Sequence, residues 1–318
     1  MSAAFVDKPF GTALAELGER YPQLVVLDAD LQRATETALF QSRFPERHFN
    51  LGVAEANMVC VAAGLALSGK TAVCGTFACF ISQRVCDQVV LSVAHCNADV
   101  KLIGVEAGLS SGSNGATHQG MLDLAILRAI PNMSVFVPGD ATETRAILEY
   151  VVTHPGPAYL RVPRRRAPVL IDPAGYRFQP GRSVRLRAGG DVTLITCGIM
   201  LPRCLEAAEA LQRDGIAARV VNMSSIKPLD ETEVRLAAEE TGAIVVAENH
   251  NVLGGLGGAV AEVVGETWPV PVLRIGVRDR FGEVGPVDWL AEQFEMTSAH
   301  IAGAARRALQ LKGRLPHR

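Results

Sequence analysis

Short β-branched runs alternate with stretches of helical spacing along most of this sequence. In the first half the runs lie at residues 24–27, 71–73, 100–105, 134–137 and 158–162. Each is short enough for a buried strand, and helical stretches such as residues 54–67 and 142–152 lie between them. Strands and helices that alternate in this way favour an open parallel sheet covered by helices on both faces.

The pattern stops near Arg164 and begins again at Val192. Residues 163–190 are rich in Arg, Pro and Gly and have no clear period, which is typical of a linker. The sequence therefore predicts an α/β protein with two open parallel-type α/β domains. We place the first domain at residues 1–165, the linker at 166–190 and the second domain at 191–318.

Composition excludes several classes of function. The 318 residues carry a net charge of -2, so a general nucleic-acid or membrane surface is not expected, and the expected partners are small molecules or another protein. The sequence has no uncharged run of about 18 apolar residues, so a membrane-spanning helix is not expected. The first residues do not resemble a secretory signal. The seven cysteines form no C-x-x-C pair, which predicts reduced, mostly buried thiols in the cytoplasm.

Candidate site residues follow the predicted strands, because ligands of such sheets bind at the carboxyl ends of the strands. Asp30 follows the first strand, and Phe77 and Phe80 follow the second. Spacing alone favours core packing for the two phenylalanines, although such a pair can also stack on a flat ring. Glu55 opens a helix of small residues, and the pattern alone favours a role in stabilising its first turn.

Two further segments carry polar candidates. The loop at residues 112–120 is rich in glycine and places His118 where backbone can approach a ligand closely; an ordinary turn with a surface histidine fits equally well. Arg164 lies in a cluster of arginines after the last strand of the first domain. Its guanidinium suits a phosphate, and a solvated basic linker is the alternative.

Taken together, these segments resemble the second half of transketolase, and they are also similar to the corresponding part of deoxyxylulose-phosphate synthase. The resemblance covers essentially the whole chain and depends on the order of its motifs. They are Asp28-Ala29-Asp30-Leu31, Phe44-Pro45-Glu46-Arg47, residues 50–58, Thr76-Phe77-Ala78-Cys79-Phe80, Gly115-Ala116-Thr117-His118-Gln119, residues 128–133, Gly156-Pro157, Ile226-Lys227-Pro228-Leu229-Asp230, Glu248-Asn249-His250 and Gly254-Gly255-Leu256-Gly257.

The resemblance implies thiamine diphosphate as cofactor, bound by a pyrimidine-binding domain that is followed by a transketolase C-terminal domain. Glu55 matches the family's buried glutamate, which hydrogen-bonds the aminopyrimidine ring and promotes its imino tautomer. Phe80, with Phe77 beside it, matches the aromatic wall of the pyrimidine pocket. Asp30 matches a residue near the thiazolium side.

On the substrate side, His118 matches a histidine that contacts the sugar, and Arg164 matches an arginine that binds the substrate's phosphate. Two positions depart from the family pattern. Glu106 stands where transketolase has histidine and deoxyxylulose-phosphate synthase has arginine, and Asn114 stands where both have aspartate. An anion in place of a cation predicts a non-standard sugar or aldehyde substrate.

The resemblance also implies a second subunit. Full-length transketolases bind Mg²⁺ and the diphosphate through a Gly-Asp-Gly segment followed by Asn, and this sequence has no Gly-Asp-Gly. We expect a partner that resembles the N-terminal half of transketolase to hold the Mg²⁺, in an α₂β₂ assembly whose cofactor lies between unlike subunits. The chain itself is expected to offer no metal site.

The expected activity is transfer of a two-carbon ketol unit from a ketose to an aldose or aldehyde acceptor. A β subunit of a 2-oxo acid dehydrogenase has the same two-domain plan, although the motif at 115–119 and that at 226–230 favour transketolase. A deoxyxylulose-phosphate synthase-like enzyme is a further alternative. A catalytically silent structural or regulatory subunit would also fit Glu106 and Asn114, but it would not need to keep both Glu55 and Phe80.

Overall fold

The first α/β unit is built from the N-terminal half of the chain. The computed structural model describes residues 4–163 and 165–314. In chain order the elements of the first half are β1 (Phe5–Asp7), α1 (Pro9–Arg20), β2 (Leu24–Asp28), α2 (Ala38–Arg43), β3 (His48–Asn50), α3 (Glu55–Leu67), β4 (Thr71–Phe77), α4 (Cys86–Gln88), β5 (Val100–Val105), α5 (Asp123–Ala129), β6 (Ser134–Phe136), α6 (Ala141–Thr153), β7 (Ala158–Arg161) and β8 (Arg166–Pro168).

A parallel sheet organises this unit. Its strands lie in the order β6-β7-β5-β4-β2-β3, and every pair among them is parallel. All residues of β2, β4, β5 and β7 are buried, as expected for strands that have helices on both faces. The helical run after β4 is irregular, since π-helical turns at Phe80–Arg84 and Val89–Ala94 flank the short α4.

The second unit repeats the α/β plan. Its elements are β9 (Val184–Arg187), β10 (Val192–Thr196), α7 (Leu201–Arg213), β11 (Ala218–Asn222), β12 (Ser225–Lys227), α8 (Glu231–Thr241), β13 (Ile244–Asn251), α9 (Leu256–Thr267), β14 (Val272–Val277), α10 (Val287–Gln293) and α11 (Ser298–Lys312). The strand order is β14-β13-β10-β11-β9, with β9 antiparallel to β11 and the other pairs parallel. The predicted fold class, two open parallel-type α/β domains, is confirmed.

The segment predicted to be a linker contains strands. β8 pairs with β1 at one end of the segment, and β9 joins the second sheet at the other. Both are only three or four residues long and rich in arginine, so no periodic pattern in the sequence marks them. The domain limits of 165 and 191 stay a prediction.

The two units are joined by shared structure as well as by the chain. β12 of the second half adds antiparallel to β6 at the edge of the first sheet. A buried apolar cluster crosses the boundary and includes Ile130 and Met133 from the first unit with Ile226 and Val234 from the second. The ammonium of Lys227 donates to the Ile130 carbonyl at 2.6 Å. Such a contact holds the two strand-end surfaces in a fixed relation.

A buried ion pair supports the same boundary. Arg161, at the end of β7, donates to both carboxylate oxygens of Asp123 at 2.5 and 2.9 Å and to the Asn249 carbonyl of the second unit at 2.9 Å. Tyr159 adds a hydrogen bond to Asp123 at 2.5 Å. Burial by itself would raise the pKa of Asp123, but the Arg161 charge lowers that pKa overall. Within the part of the chain described, no helix is long and apolar enough to span a bilayer.

Candidate active site

Polar and aromatic residues meet where neighbouring strands of the first sheet end. Asn50 is the last residue of β3, Asp30 follows β2 by two residues, Phe77 ends β4, and Glu106 follows β5 directly. These four strands are consecutive in the sheet. The carboxyl edge of the sheet therefore collects candidates that are up to 76 positions apart in sequence.

Glu55 is the first residue of α3, and its side chain is only 3% exposed. It does not cap its own helix. Instead, Arg84 donates to both of its carboxylate oxygens, at 2.9 and 3.0 Å. The same guanidinium lies 4.0 Å from the ring centroid of Phe80. Arg84 therefore brings the predicted catalytic carboxylate and the predicted aromatic wall into one cluster.

Phe77, Phe80 and His118 form a group of three rings. The Phe77 and Phe80 centroids are 5.8 Å apart in a stacked arrangement, and His118 meets them edge-on at 5.6 and 5.2 Å. Thr117 hydrogen-bonds His118 Nδ1 at 2.9 Å, which orients the imidazole. The loop between β5 and α5 thus places His118 against the two phenylalanines at the end of β4.

Cys79 lies between the two phenylalanines in sequence and is buried. Burial raises the pKa of its thiol to about 11, so the thiol stays protonated at neutral pH. The same effect raises the pKa of Cys74 to about 12. A nucleophilic role at this strand end is therefore disfavoured for both cysteines.

Asp30 has a left-handed backbone with φ of 62° and pairs with Asn50 on the neighbouring strand end. Asn50 Oδ1 accepts from the Asp30 amide at 3.1 Å, and Asn50 Nδ2 donates to Asp30 Oδ1 at 3.2 Å. The carboxylate of Asp28 supports this turn, because it accepts from the hydroxyls of Thr35 at 2.6 Å and Thr37 at 3.1 Å. Burial raises the pKa of Asp28, and these hydrogen bonds offset part of that effect.

Glu106 is buried, has φ of 56°, and lines a cavity of about 790 Å³ between the two units. Ser110, Arg165 and Asn249 also line this cavity. Of the residues that the structure describes, Glu55, Phe77, Phe80 and His118 are not among those lining it. The cavity and the aromatic group are therefore separate features that share one strand edge.

Two predicted substrate residues remain, Asn114 and Arg164. Asn114 is exposed and ends a 3₁₀ turn four positions before His118. Arg164 lies outside the described residues. Two important residues were absent from the predicted site, namely Arg84 and Asn50. Arg84 follows Phe80 by four positions, the spacing of one helical face, and this was the one sequence signal that could have found it.

Comparison with known proteins identifies the family to which the chain belongs. Residues 5–169 match the model of the transketolase pyrimidine-binding domain, and residues 181–301 match that of the transketolase C-terminal domain. The chain belongs to the transketolase family. This agrees with the resemblance deduced from the motifs, and within this family the chain corresponds to the C-terminal subunit of a split enzyme.

Individual relatives are similar over nearly their whole length. The 6-deoxy-6-sulfo-D-fructose transketolase subunit SqwH of Clostridium sp. (strain MSTE9) is 46% identical over 94% of this chain and 92% of its own. An apulose-4-phosphate transketolase subunit of Phocaeicola vulgatus is 38% identical over 86% of this chain and 87% of its own. A split-gene transketolase, solved as an inactive β4 tetramer, superposes with a TM-score of 0.89 at 45% identity, covering 96% of this chain and 98% of that one.

The cluster suits the aminopyrimidine of thiamine diphosphate, the cofactor of this family. Glu55 offers a buried carboxylate for a ring nitrogen, and Phe80 offers a half-buried ring face beside it. Across residues 4–163 and 165–314, no group of three or more His, Cys, Asp or Glu side chains is arranged to hold a metal ion.

Proposed function

We propose that this chain and a separate subunit together transfer a two-carbon ketol unit from a ketose to an aldehyde acceptor. The observation that carries the proposal is the buried carboxylate of Glu55 beside the ring of Phe80, with His118 edge-on to that ring. When bound, thiamine diphosphate would supply a nucleophilic thiazolium carbon for the ketose carbonyl and an electron sink for cleavage of the adjacent carbon–carbon bond.

The residues of this chain have distinct roles in the proposal. Glu55 holds a proton at a pyrimidine ring nitrogen, a role that needs a carboxyl group in a dry site. Phe77 and Phe80 form the wall against the pyrimidine ring, and Asp30 lies toward the thiazolium side. His118 hydrogen-bonds a hydroxyl or carbonyl oxygen of the sugar. Arg164 binds the anionic end of the substrate.

We assign the Mg²⁺ and the diphosphate to the partner subunit. Mg²⁺ takes oxygen ligands and bridges phosphates through one or two carboxylates. What supports the assignment is that this sequence lacks the Gly-Asp-Gly segment which, by the family resemblance, binds both groups in full-length transketolases. The cofactor would then lie between unlike subunits. A shared site is an open face on either subunit alone, which accounts for the absence of Glu55 and Phe80 from the cavity lining among the described residues.

Exposed apolar side chains on and beside the helix of Glu55 offer a place for a second subunit. Val53, just before α3, is 74% exposed and Leu67, at the end of α3, is 65% exposed. Leu91, on the π-helical turn that packs against α3, is exposed as well. Large apolar side chains left in solvent on neighbouring elements mark an interaction site. Because Glu55 begins the same helix, a subunit docked there would also complete the cofactor site.

The assembly that we propose is α₂β₂. The similar split-gene chain forms a β4 tetramer that is inactive, which fits a subunit that self-associates and requires a partner for activity. We also expect a cytoplasmic enzyme, as the odd number of cysteines suggested.

For substrate, we propose a ketose that departs from the common pentose phosphates. The similar proteins include transketolase subunits for 6-deoxy-6-sulfo-D-fructose and for apulose 4-phosphate. Relative to the family pattern, Glu106 and Asn114 change the charge and the hydrogen-bonding groups of the loop that leads to His118. An acidic side chain near the substrate disfavours a sugar that carries its anionic group at that point, and so favours sugars that carry it elsewhere.

Calorimetric titration of thiamine diphosphate with Mg²⁺ tests the cofactor assignment. The chain alone, the partner alone and the mixture are titrated in parallel. Binding in the mixture only is the expected result, and tight binding by this chain alone would contradict the shared site. Ketol transfer is then measured with 6-deoxy-6-sulfo-D-fructose and with xylulose 5-phosphate as donors. Full activity with xylulose 5-phosphate would contradict the proposed substrate class.

A further inference from the structure

Asn249 reaches from the second unit into the loop that carries His118. It lies near the end of β13 and is 5% exposed. Its Oδ1 accepts from the Leu109 amide at 2.9 Å, while Nδ2 donates to the Ala107 carbonyl at 3.0 Å and to Ser110 Oγ at 3.1 Å. Both ends of the amide are therefore engaged by the sugar-facing loop, which we define as residues 106–120.

The second unit also holds the loop farther along. The Gly285 amide donates to the Gly112 carbonyl at 3.3 Å. Near the end of the loop, Gln119 Nε2 donates to the Glu283 carbonyl at 2.9 Å. The loop is thus held at its start, its middle and its end by residues more than 130 positions away.

Close packing at Gly108 reinforces the contact with Asn249. Gly108 has φ of 58°, and a Cβ added there would lie 2.2 Å from the Asn249 carbonyl oxygen. The loop backbone passes too close to Asn249 for any other side chain. The two segments are therefore fitted to each other through both hydrogen bonding and shape.

The sugar-facing loop depends on such outside partners because its own structure is irregular. It consists of 3₁₀ turns, and Gly112 interrupts them with φ of 16° and ψ of -76°. Loop backbone without regular internal hydrogen bonds takes its conformation from the groups that satisfy it. Glu106, Asn114 and His118 all lie on this segment. Its conformation consequently sets where these three side chains stand.

We infer that Asn249 is a positioning residue for substrate, so that the second unit takes part in sugar selection through the sugar-facing loop. The inference rests on the proposed function for the identity of the substrate. It assigns cofactor binding and sugar selection to different residues. Glu55 and Phe80 govern cofactor binding in this proposal. Asn249 also lines the cavity beside Glu106, but its side-chain hydrogen bonds go to the sugar-facing loop, and it acts on the fit of the sugar through that loop.

The test compares Asn249→Ala with Asn251→Ala in the full chain. Asn251 is a matched control because it has the same side chain on the same strand, and its Oδ1 accepts locally, from the Leu253 amide at 2.9 Å. Gln119→Ala is a second variant, which removes a different anchor of the loop should Asn249→Ala fail to fold.

Three quantities are measured. Hydrogen exchange at residues 107–119 of the chain alone should rise in Asn249→Ala and stay unchanged in Asn251→Ala. In the mixture with the partner, the Kd of thiamine diphosphate should stay within about twofold, because the contacts of Arg84 with Glu55 and Phe80 lie outside the loop. The KM for 6-deoxy-6-sulfo-D-fructose, or for xylulose 5-phosphate if that donor is preferred, should rise about tenfold.

Two results would overturn the inference while leaving the proposed function in place. One is loop exchange and KM in Asn249→Ala that match those of Asn251→Ala. The other is a parallel loss of cofactor affinity and kcat with unchanged KM, which would indicate general structural damage. If the unsubstituted mixture transfers no ketol unit from either donor, the proposed function fails and this assignment to sugar selection fails with it.

Discussion

Arg84 donates to both carboxylate oxygens of Glu55, at 2.9 and 3.0 Å, and lies 4.0 Å from the centroid of the Phe80 ring. In the lone chain, the guanidinium therefore covers the two groups that are proposed to contact the cofactor's pyrimidine. In the proposed site, the pyrimidine takes the place of Arg84 at one oxygen of Glu55 and over part of the ring face. This contact links stability of the free subunit to assembly of the active site.

Arg84→Ala should lower the free energy of unfolding of the lone chain by about 1–2 kcal/mol, because it leaves the buried Glu55 carboxylate without that partner. Urea unfolding measures the change. Arg20→Ala is the control, since Arg20 forms a comparable 2.8 Å pair with Glu149 in which both side chains are about half exposed. That control should cost less than about 1 kcal/mol. Equal losses in the two variants would contradict a structural role for the Arg84–Glu55 pair.

Glu55→Gln should reduce ketol transfer by the mixture about 100-fold or more, because an amide cannot share a proton with the pyrimidine nitrogen. The variant keeps the shape of the side chain, so the subunits should still associate. Glu46→Gln is the matched control, as Glu46 is an exposed residue whose carboxylate lies 3.5 Å from Arg47. Steady-state rates are measured at saturating cofactor. Retention of more than about a tenth of the activity in Glu55→Gln would exclude the proposed role.

Glu106→His should change the choice of donor toward phosphorylated ketoses. It replaces a buried acidic residue by the residue type that the resemblance to transketolase implies at this position. A phosphate carries up to two negative charges and a sulfonate only one, so removing a nearby acidic side chain relieves more repulsion for xylulose 5-phosphate than for 6-deoxy-6-sulfo-D-fructose. The ratio of kcat/KM for xylulose 5-phosphate to that for 6-deoxy-6-sulfo-D-fructose should rise at least about tenfold. An unchanged ratio would show that Glu106 does not read the substrate's charge. Ser113→His, at an exposed position on the same loop, controls for a new imidazole.

Asp123→Asn should destabilise the chain by about 3 kcal/mol at pH 7, since it leaves Arg161 buried without its counterion. The folded-state pKa of Asp123 is below the ordinary value, so its contribution is present above the unfolded pKa of about 3.9 and is lost as pH falls through the folded pKa. Urea unfolding of both proteins at pH 7, 5, 4 and 3 tests this. The difference between them should shrink only below about pH 4. A difference that is constant across this range would contradict the assignment.

Other buried carboxyls do not disturb that comparison. Burial raises the folded-state pKa values of Asp28 and Glu143, so their effects run in the opposite direction and weaken the fold as pH rises through those values. Both groups are present in the unsubstituted chain and in Asp123→Asn. Their contributions therefore cancel in the difference.

The main sheets were predictable because their strands are continuous apolar runs. Every residue of β2 and β5 is buried, and both were placed from β-branched composition. Strands β1, β3, β8, β9 and β12 were not predicted. Each has three or four residues, and each pairs with a strand from another segment of the chain. Pairing of this kind leaves no local period in the sequence.

The candidate site shows the same division. The order of the motifs pointed to Glu55, Phe80 and His118 as candidates. The structure links the three through Arg84 and through the contact between the Phe80 and His118 rings. The partners of these residues were not predicted. The spacing of Phe80 and Arg84 indicates one helical face, but it does not show that Arg84 also reaches Glu55. The Asn249 contact joins residues about 140 positions apart and depends on tertiary packing alone.

The pairing of β12 with β6 has a consequence for any attempt to divide this protein. A fragment cut before residue 191 would lack β12 and would present β6 as a bare edge strand, with its N–H and C=O groups ready to pair with another molecule. It would also expose the apolar surface that Ile226 and Val234 cover. Such a fragment should aggregate, and an isolated pyrimidine-binding half must retain residues 225–227 or carry charged side chains along that edge.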